Sequence, residues 1–454
     1  MKAAKDYTLF AALALLSTVL LFAATDDKAA APAGPVTLFS NVRVFDGRSD
    51  QLSGPLHVMV RGNKIAQISD KPIPTDRRAD TKLIDGKGRT LMPGLIDAHT
   101  HIMFSTIGQA TALTSDIGYV NVAAVKAASD MLQRGFTSAR DLGGPIFGLK
   151  RGIDQGLVEG PRIWPSGAFV SQTGGHGDFR LPNEIPSEPG KMSFSERVNA
   201  AAIADDPHTV RQKVREQLAL GASQIKLMAG GGVSSSYDPL DVTQYTVPEL
   251  RSAVEAAENW GTYVTVHAYT PRAVRQALEA GVKCIDHGQL LDDDTAKLMA
   301  EKGVWWSLQP FTDDRPSAFP EGSPNRIKQL TMYAGTDTAY TLAKKYQIKT
   351  AWGSDILFSA ANAARQNHQL SKLVRWYSPA EILKMATSAN AELLAMSGER
   401  APYQGKLGVI EEGALADLLL VDGDPIADIK LIEDPANNFH IIMKDGKIYK
   451  ELRD

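Results

Sequence analysis

The stretch "PGLIDAHTHI", residues 93–102, is the first of several apolar segments in this chain that end in potential metal ligands. An apolar run leads into Asp97, and His99 and His101 follow, separated by one residue, in a chain that holds 9 histidines. Residues i and i+2 of a β-strand point to the same face, so the two imidazoles can converge on one ion. Such a pair also occurs on ordinary polar strand faces, and a metal site therefore requires ligands from other strands.

Composition and charge are those of a globular protein with small-molecule chemistry. The chain has 454 residues, of which 43% are hydrophobic and 22% charged, and its net charge is -3. This length exceeds one typical domain and favours a large barrel with a smaller second domain. Lysines and arginines are scattered among acids, so we expect no nucleic-acid partner. The phosphate-binding motif G-x-x-x-x-G-K-[ST] is absent from the sequence.

The N-terminus has the pattern of an export signal. Lys2 and Lys5 precede an apolar stretch, 9–24, and an Ala/Pro-rich segment follows it. We interpret 1–24 as a signal peptide and 25–35 as a spacer, which predicts a periplasmic or secreted protein. The apolar stretch of 16 residues is shorter than the roughly 20 that a membrane span requires. We therefore expect no stable membrane span after signal removal, and an uncleaved N-terminal anchor is the alternative.

The remaining pattern predicts an α/β protein with a (β/α)8 TIM-like barrel and a small composite β-sandwich domain. Segments 36–92 and 401–454 alternate in short strands separated by turn residues, and chain termini usually lie close together. Segment 93–400 alternates strands with helices, as a barrel requires. The eight predicted barrel strands are 95–99, 136–141, 163–169, 223–228, 262–268, 284–287, 304–309 and 348–353. A doubly wound open sheet is the alternative, but polar residues at so many strand ends favour the barrel.

Four more strand ends carry potential ligands. The segments "SQIKLMAGGG", "YVTVHAYT", "CIDHGQ" and "TAWGSDI" contribute Lys226, His267, His287 and Asp355. Each residue alone has a plain structural explanation, whereas six ligands on five strand ends indicate a metal centre. Lys226 lies in an apolar run, where an unpaired ammonium is costly. It must have a partner, lose its proton or be modified, for example by carbamylation to a carboxylate that bridges two metal ions.

These motifs resemble the amidohydrolase superfamily over essentially the whole mature chain. "TGGHGD", "KLMAGGGVSSSYDP", "VHAYT", "IDHGQ" and "WGSDI" are most similar to its binuclear zinc prolidase and carboxypeptidase-like branch, which includes hydrolases of ochratoxin A. The resemblance implies cleavage of a small-molecule amide or dipeptide that ends in an apolar or aromatic amino acid. For ochratoxin A, the products would be phenylalanine and ochratoxin alpha. It also implies a homo-oligomer, octamers included.

The resemblance further implies two Zn²⁺ ions per chain, bridged by carbamylated Lys226 and a hydroxide. The predicted metal ligands are His99, His101, Lys226, His267, His287 and Asp355. The bridging hydroxide would attack the amide carbonyl, and Asp355 would be the catalytic residue that moves the proton to the leaving amine. His176 and Tyr269 are candidates for binding the substrate carboxylate, and Tyr237 for orienting its carbonyl. The alternative is that these three are loop residues in glycine-rich turns with no role in binding.

Two other functions compete with this hypothesis. One is a cyclic-amide hydrolase of the imidazolone type, which a requirement for a free carboxylate would exclude. The other is a non-catalytic exported protein that binds a metal or a solute, but it would gain nothing from Asp355 as a proton shuttle. A serine triad is disfavoured because the sequence contains no G-x-S-x-G motif.

Overall fold

The fold is described here from a computed structural model that covers residues 34–76, 78–188, 190–314, 317 and 319–453. The predicted signal peptide, 1–24, lies outside the described residues, and so does the predicted spacer up to residue 33. Pro35–Asp454 forms one compact unit. Among its described helices, none combines the length and the apolar character that a bilayer crossing demands.

The N-terminal segment consists of five strands rich in β-branched residues. They are β1 (Val36–Val44), β2 (Pro55–Arg61), β3 (Lys64–Ser69), β4 (Thr81–Asp85) and β5 (Thr90–Pro93). The β2–β3 hairpin turns at Gly62 and Asn63, since Arg61 pairs with Lys64. Two-residue loops of this composition match the twist of antiparallel strands.

Ten parallel strand segments then build the barrel and its rim. They are β6 (Leu95–Thr100), β7 (Phe136–Asp141), β8 (Arg162–Pro165), β9 (Phe169–Ser171), β10 (Ala201–Ile203), β11 (Ile225–Met228), β12 (Val264–Ala268), β13 (Cys284–His287), β14 (Trp305–Leu308) and β15 (Thr350–Trp352). Apart from one residue in each of β10 and β15, all of their residues are buried, as expected for a sheet covered by helices. The predicted barrel is confirmed.

The third barrel strand is interrupted, whereas the sequence predicted one strand over 163–169. β8 pairs with β7, and β9 pairs with β10 and β11. Gly167 lies at the break with φ +73°, a left-handed conformation that ends a strand. A Cβ there would lie 2.4 Å from Gln217 Oε1 and 2.6 Å from the Phe147 ring. The close approach of these side chains therefore requires glycine.

Helices occupy the intervals between the strands. They are α1 (Gln109–Thr114), α2 (Ile117–Gln133), α3 (Phe147–Asp154), α4 (Phe194–Arg197), α5 (Pro207–Ala219), α6 (Val247–Glu258), α7 (Pro271–Ala280), α8 (Asp293–Glu301), α9 (Pro324–Ala334), α10 (Thr336–Lys345), α11 (Ala360–Ala364), α12 (Gln366–Ser371), α13 (Pro379–Lys384), α14 (Asn390–Ala395) and α15 (Pro435–Asn438). Shorter helical turns are Ile102–Phe104, Pro182–Glu184, Lys372–Arg375, Gly398–Arg400 and Ile429–Glu433, and Met385–Ala389 is a π-helical turn. α6 begins with a capping box between Thr246 and Glu249, and α7 ends at Gly281 in the left-handed conformation, as capping chemistry predicts.

The C-terminal segment returns to the N-terminal one. It adds β16 (Leu418–Val421), β17 (Phe439–Lys444) and β18 (Lys447–Glu451). β16 pairs antiparallel with β5, which joins both ends of the chain in one eight-stranded sheet. The order is β18-β17-β16-β5-β1-β2-β3, and β4 pairs with β1. The predicted composite β domain is therefore confirmed.

Side chains close the seam between the first and the last barrel strands. Among the described strands, β6 and β15 belong to different hydrogen-bonded sheets. Asn390 Nδ2 donates to Ile96 O at 2.7 Å and to Trp352 O at 2.8 Å, and Asn390 Oδ1 accepts from Trp352 N at 3.1 Å. One buried amide thus satisfies three backbone groups that a strand ladder would otherwise pair.

Asp97 closes the same seam nearer to the strand ends. Its Oδ1 accepts from His99 N and from Ser354 N, both at 3.0 Å, and its Oδ2 accepts from Gln366 Nε2 at 2.8 Å. Asp355 N donates to His99 O at 2.8 Å. The residues that follow β15 are therefore held directly against the end of β6.

We expect Asn390→Ala to lower the free energy of unfolding by about 3 kcal/mol, because three buried backbone groups lose their partner. Urea denaturation followed by circular dichroism measures the change. Asn438→Ala is the control, since the Asn438 side chain makes one part-buried hydrogen bond, to Leu431 O at 2.8 Å, and should cost about 1 kcal/mol. Equal losses in the two variants would contradict a special role for the seam.

Candidate active site

The predicted ligands meet at one end of the barrel, where the parallel strands end. His99, Lys226, His267 and His287 lie on β6, β11, β12 and β13, and His101 and Asp355 follow β6 and β15. All six line a single cavity of about 460 Å³. His176 and Tyr269 line it as well, so the fold brings together eight of the nine residues selected from the sequence.

His99, His101 and Asp355 form a compact ligand group. Asp355 Oδ1 lies 3.2 Å from His99 Nε2 and 3.3 Å from His101 Nε2, and one ligand atom from each residue lies within 4.8 Å of the others. Burial raises the pKa of Asp355, but His99 and His101 more than offset this and hold that pKa well below its usual range. Two imidazoles and an ionised carboxylate are a donor set that suits zinc or a similar divalent metal.

Hydrogen-bond partners orient the imidazoles. His101 Nδ1 lies 3.2 Å from Gly143 O and His99 Nδ1 lies 3.3 Å from Asp286 Oδ1, so each ring turns Nε2 toward Asp355. His267 uses the opposite nitrogen, with Nε2 at 3.0 Å from Gly231 O. Burial lowers the pKa of His267 well below its usual value, so this ring is neutral. A neutral ring whose outer nitrogen is engaged offers the other nitrogen to a metal.

His287 and His267 form a second pair, with ring centroids 4.4 Å apart. Burial lowers the pKa of His287 to about 3, which also keeps this ring neutral. The backbones of His287 and Asp355 have φ of +77° and +46°, a left-handed conformation that is uncommon outside glycine and is frequent at functional sites. Gly353 permits the contact between strand ends, because a Cβ there would lie 2.3 Å from His99 Cβ.

Lys226 has a buried carboxylate partner that the sequence analysis missed. Its Nζ lies 2.7 Å from Asp286 Oδ2, and Asp286 also accepts from Arg140 Nη2 at 2.9 Å and from Thr265 Oγ1 at 2.7 Å. Burial lowers the pKa of Lys226, and Asp286 opposes that shift. The sequence left three possibilities for Lys226, and in the structure it has a charged partner, Asp286. The sequence contains one signal for these contacts, namely the charged residues within the apolar strands "TSARD" and "CIDH".

Of the three predicted substrate-binding residues, two line the cavity and one does not. His176 Nδ1 lies 2.8 Å from Ser235 Oγ, and burial lowers the pKa of His176 to about 4, which leaves it neutral. Tyr269 is buried beside His267, and within the described ranges its hydroxyl has no hydrogen-bond partner in the protein. Tyr237 does not line the cavity; it is 38% exposed and its hydroxyl donates to Arg180 O at 2.6 Å.

The walls of the cavity are mainly apolar, and many of their side chains are aromatic. Lys226 and Asp355 are the only charged side chains among its described lining residues, apart from the histidines. The aromatic lining residues are Phe104, Phe169, Phe179, Phe194, Tyr269, Phe311, Phe319, Tyr333 and Phe358. Phe311 and Phe319 belong to the segment after β14. Such aromatic surface suits a ring-containing molecule.

Sequence and structure comparisons identify the family. A sequence model of the amidohydrolase family matches residues 90–449. The chain belongs to this family. It is similar to ochratoxinase from Aspergillus niger, with 32% identity over 377 residues, 79% of this chain and 75% of that enzyme. The predicted membership is therefore confirmed, and the protein is a hydrolase that acts on amide or peptide bonds.

Two crystal structures are similar to this amidohydrolase over nearly its whole length. A prolidase complexed with N-methylphosphonate-L-proline has a TM-score of 0.84 and 34% identity, covering 92% of this chain and 100% of that one. Ochratoxinase of A. niger has a TM-score of 0.79 and 27% identity, covering 92% and 96%. The family is typically metal-dependent, which agrees with the group formed by His99, His101 and Asp355.

We expect Asp286→Leu to destabilise the amidohydrolase by about 3–5 kcal/mol, because it leaves Lys226 and Arg140 as buried cations without their carboxylate. Thermal unfolding of the metal-free protein measures the loss. Adding Lys226→Met should recover part of it, since one of the two cations is then removed. The control is Asp130→Leu on α2, where the ion pair with Lys126 is exposed and contributes roughly 0.5 kcal/mol. A double variant no more stable than Asp286→Leu would contradict the pairing.

Proposed function

We propose that this amidohydrolase cleaves the amide bond between an acyl group and a free apolar or aromatic α-amino acid, with zinc in the site. The observation that carries the proposal is the cavity itself. Its lining combines the histidines, Lys226 and Asp355 with many apolar and aromatic residues and a few uncharged polar ones. Relatives named ochratoxinase and prolidase support the reaction class.

In this proposal the ligand residues would hold two zinc ions. His99, His101 and Asp355 would bind one and His267 and His287 the other, and Lys226, once carbamylated, would be a further ligand. Bound zinc supplies an acidified water and polarises the amide carbonyl. Carbamylation would replace the Lys226 ammonium by an anion, so the pair with Asp286 at 2.7 Å would have to rearrange as the site assembles.

Asp355 is the proposed proton carrier. Its Oδ1 faces His99 and His101 at 3.2 and 3.3 Å, whereas Oδ2 lies 4.0 Å from His287 Nδ1, beyond hydrogen-bond distance. Oδ2 is therefore available to accept a proton from the attacking water and to pass it to the leaving amine. An ionised carboxylate is the form that this role requires, and the pKa of Asp355 lies well below its usual range because His99 and His101 overcome the effect of burial.

The substrate carboxylate would be bound by neutral donors. His176 is neutral, and burial raises the pKa of Tyr269 well above its usual value, so its hydroxyl remains a donor. Phe311 and Phe319 offer surface for an apolar side chain of the leaving amino acid. Since Asp355 is the only described carboxylate that lines the cavity, arginine and lysine leaving groups would have no acidic partner.

Ochratoxin A belongs to this proposed substrate class, because it is a phenylalanine amide of an aromatic acid, and its products would be phenylalanine and ochratoxin alpha. A cyclic-amide substrate is the alternative, and it carries no free C-terminal carboxylate. We also propose that the enzyme is exported, from the pattern of 1–24, and that it acts as a homo-oligomer.

We expect kcat/KM to be at least tenfold higher for N-acyl phenylalanine than for its methyl ester, its amide or N-acyl arginine. Tyr269→Phe should lower kcat/KM about tenfold for the free acid, since one hydrogen bond to a charged group contributes about 1.5 kcal/mol. The methyl ester is the internal control and should change less. Equal rates for free and blocked carboxylates would contradict carboxylate binding, and a preference for arginine would contradict the apolar site.

We expect Asp355→Asn to keep most of its zinc and to lose at least about 10³-fold in kcat, since an amide cannot carry the proton. Elemental analysis and steady-state kinetics on one preparation measure both. Asp50→Asn, in an exposed ion pair with Lys384, is the control and should behave as wild type. Chelation should abolish activity and added zinc should restore it. Full activity in the chelated protein, or turnover by Asp355→Asn near the wild-type level, would contradict the proposal.

A further inference from the structure

Gln309 contacts the ligand histidines from a position directly after β14. The side chain is fully buried, and its Oε1 lies 2.7 Å from His287 Nδ1. Its Nε2 donates to Ser307 O at 3.1 Å and lies 3.4 Å from His99 Nδ1. One amide therefore contacts a histidine from each of the two ligand pairs.

The contact determines which nitrogen of His287 carries hydrogen. The Gln309 amide orientation is set by the Ser307 carbonyl, which can only accept and thus requires Nε2 on its side. Oε1 then faces His287, and because a carbonyl oxygen cannot donate, His287 Nδ1 must be the protonated nitrogen. His287 Nε2 is then the ring nitrogen that remains for a ligand.

The backbone around Gln309 is also held in place. Gln289 Nε2 donates to Gln309 O at 3.3 Å, and Trp306 Nε1 donates to His287 O at 2.6 Å. β13 and β14 are paired, so Gln309 and His287 lie at neighbouring strand ends. Both the imidazole and its partner are therefore fixed relative to the cavity, as a ligand ring requires.

Gln309 differs in kind from the partners of the other ligand histidines. His101 and His267 contact the backbone carbonyls of Gly143 and Gly231, and His99 contacts the carboxylate of Asp286. At His287 the short contact, 2.7 Å, is made by a side-chain amide oxygen at Nδ1. A backbone carbonyl cannot be removed by substitution, whereas the Gln309 side chain can.

We propose that Gln309 is a positioning residue for the metal site, which holds the tautomer and the ring orientation of His287. The proposal rests on the proposed zinc function, because it concerns the ion held by His267 and His287. Without the amide, His287 can rotate or carry hydrogen on Nε2, and both changes weaken the ligand. Loss of such a partner typically reduces metal affinity 10- to 100-fold.

Three variants test the proposal. Gln309→Met removes the acceptor, and Gln309→Glu keeps an acceptor oxygen on a side chain of the same length. Gln217→Met, the control, removes a similarly buried amide on α5, whose Oε1 accepts from Ala168 N at 2.9 Å. Zinc affinity is measured by competition with a chromophoric chelator, and the visible spectrum of the cobalt-substituted protein reports the ligand geometry.

We expect Gln309→Met to bind one zinc at least tenfold more weakly and to change the cobalt spectrum, while Gln309→Glu and Gln217→Met stay within about threefold of wild type. Wild-type affinity and spectrum in Gln309→Met would overturn the inference, and so would an equal loss in Gln217→Met, which would indicate a general packing effect. A wild-type protein that binds no zinc would instead overturn the proposed function.

Discussion

The structure depends on the closure of the barrel between β6 and β15. Backbone pairing is replaced there by two buried side chains, Asp97 and Asn390, which accept from and donate to the strands on both sides. This closure brings His99 and His101 against Asp355, with Asp355 N donating to His99 O at 2.8 Å. The ligand group is thus a direct consequence of how the first and last strands are joined.

Charge balance is the second constraint. A buried lysine requires an anionic partner, because an isolated buried charge is costly. Asp286 meets this requirement by contacting Lys226, Arg140 and His99 together. The same carboxylate therefore stabilises the barrel interior and orients a ligand ring, which couples the stability of the protein to the geometry of its active site.

Three of the histidines that line the cavity are kept neutral. Burial holds His176, His267 and His287 in their neutral forms, since it lowers the pKa of each ring. Neutral rings can act as ligands or as hydrogen-bond donors, whereas protonated rings would repel a metal ion. Phe311 and Phe319 are among the aromatic residues that line the same cavity.

The sequence by itself determined the barrel, the composite β domain and the family, because strand periodicity, capping residues and the motif "DAHTH" are local signals. It also selected eight residues that line the cavity, since ligands at the ends of parallel strands must converge. Only the tertiary structure decided that the third strand breaks at Gly167 and that the Tyr237 hydroxyl donates to Arg180 O. It also decided that Asp286 contacts His99 and that Gln309 contacts His287. These outcomes depend on contacts between segments that are distant in the sequence. A local sequence pattern therefore does not predict which buried groups lie within hydrogen-bond distance of each other.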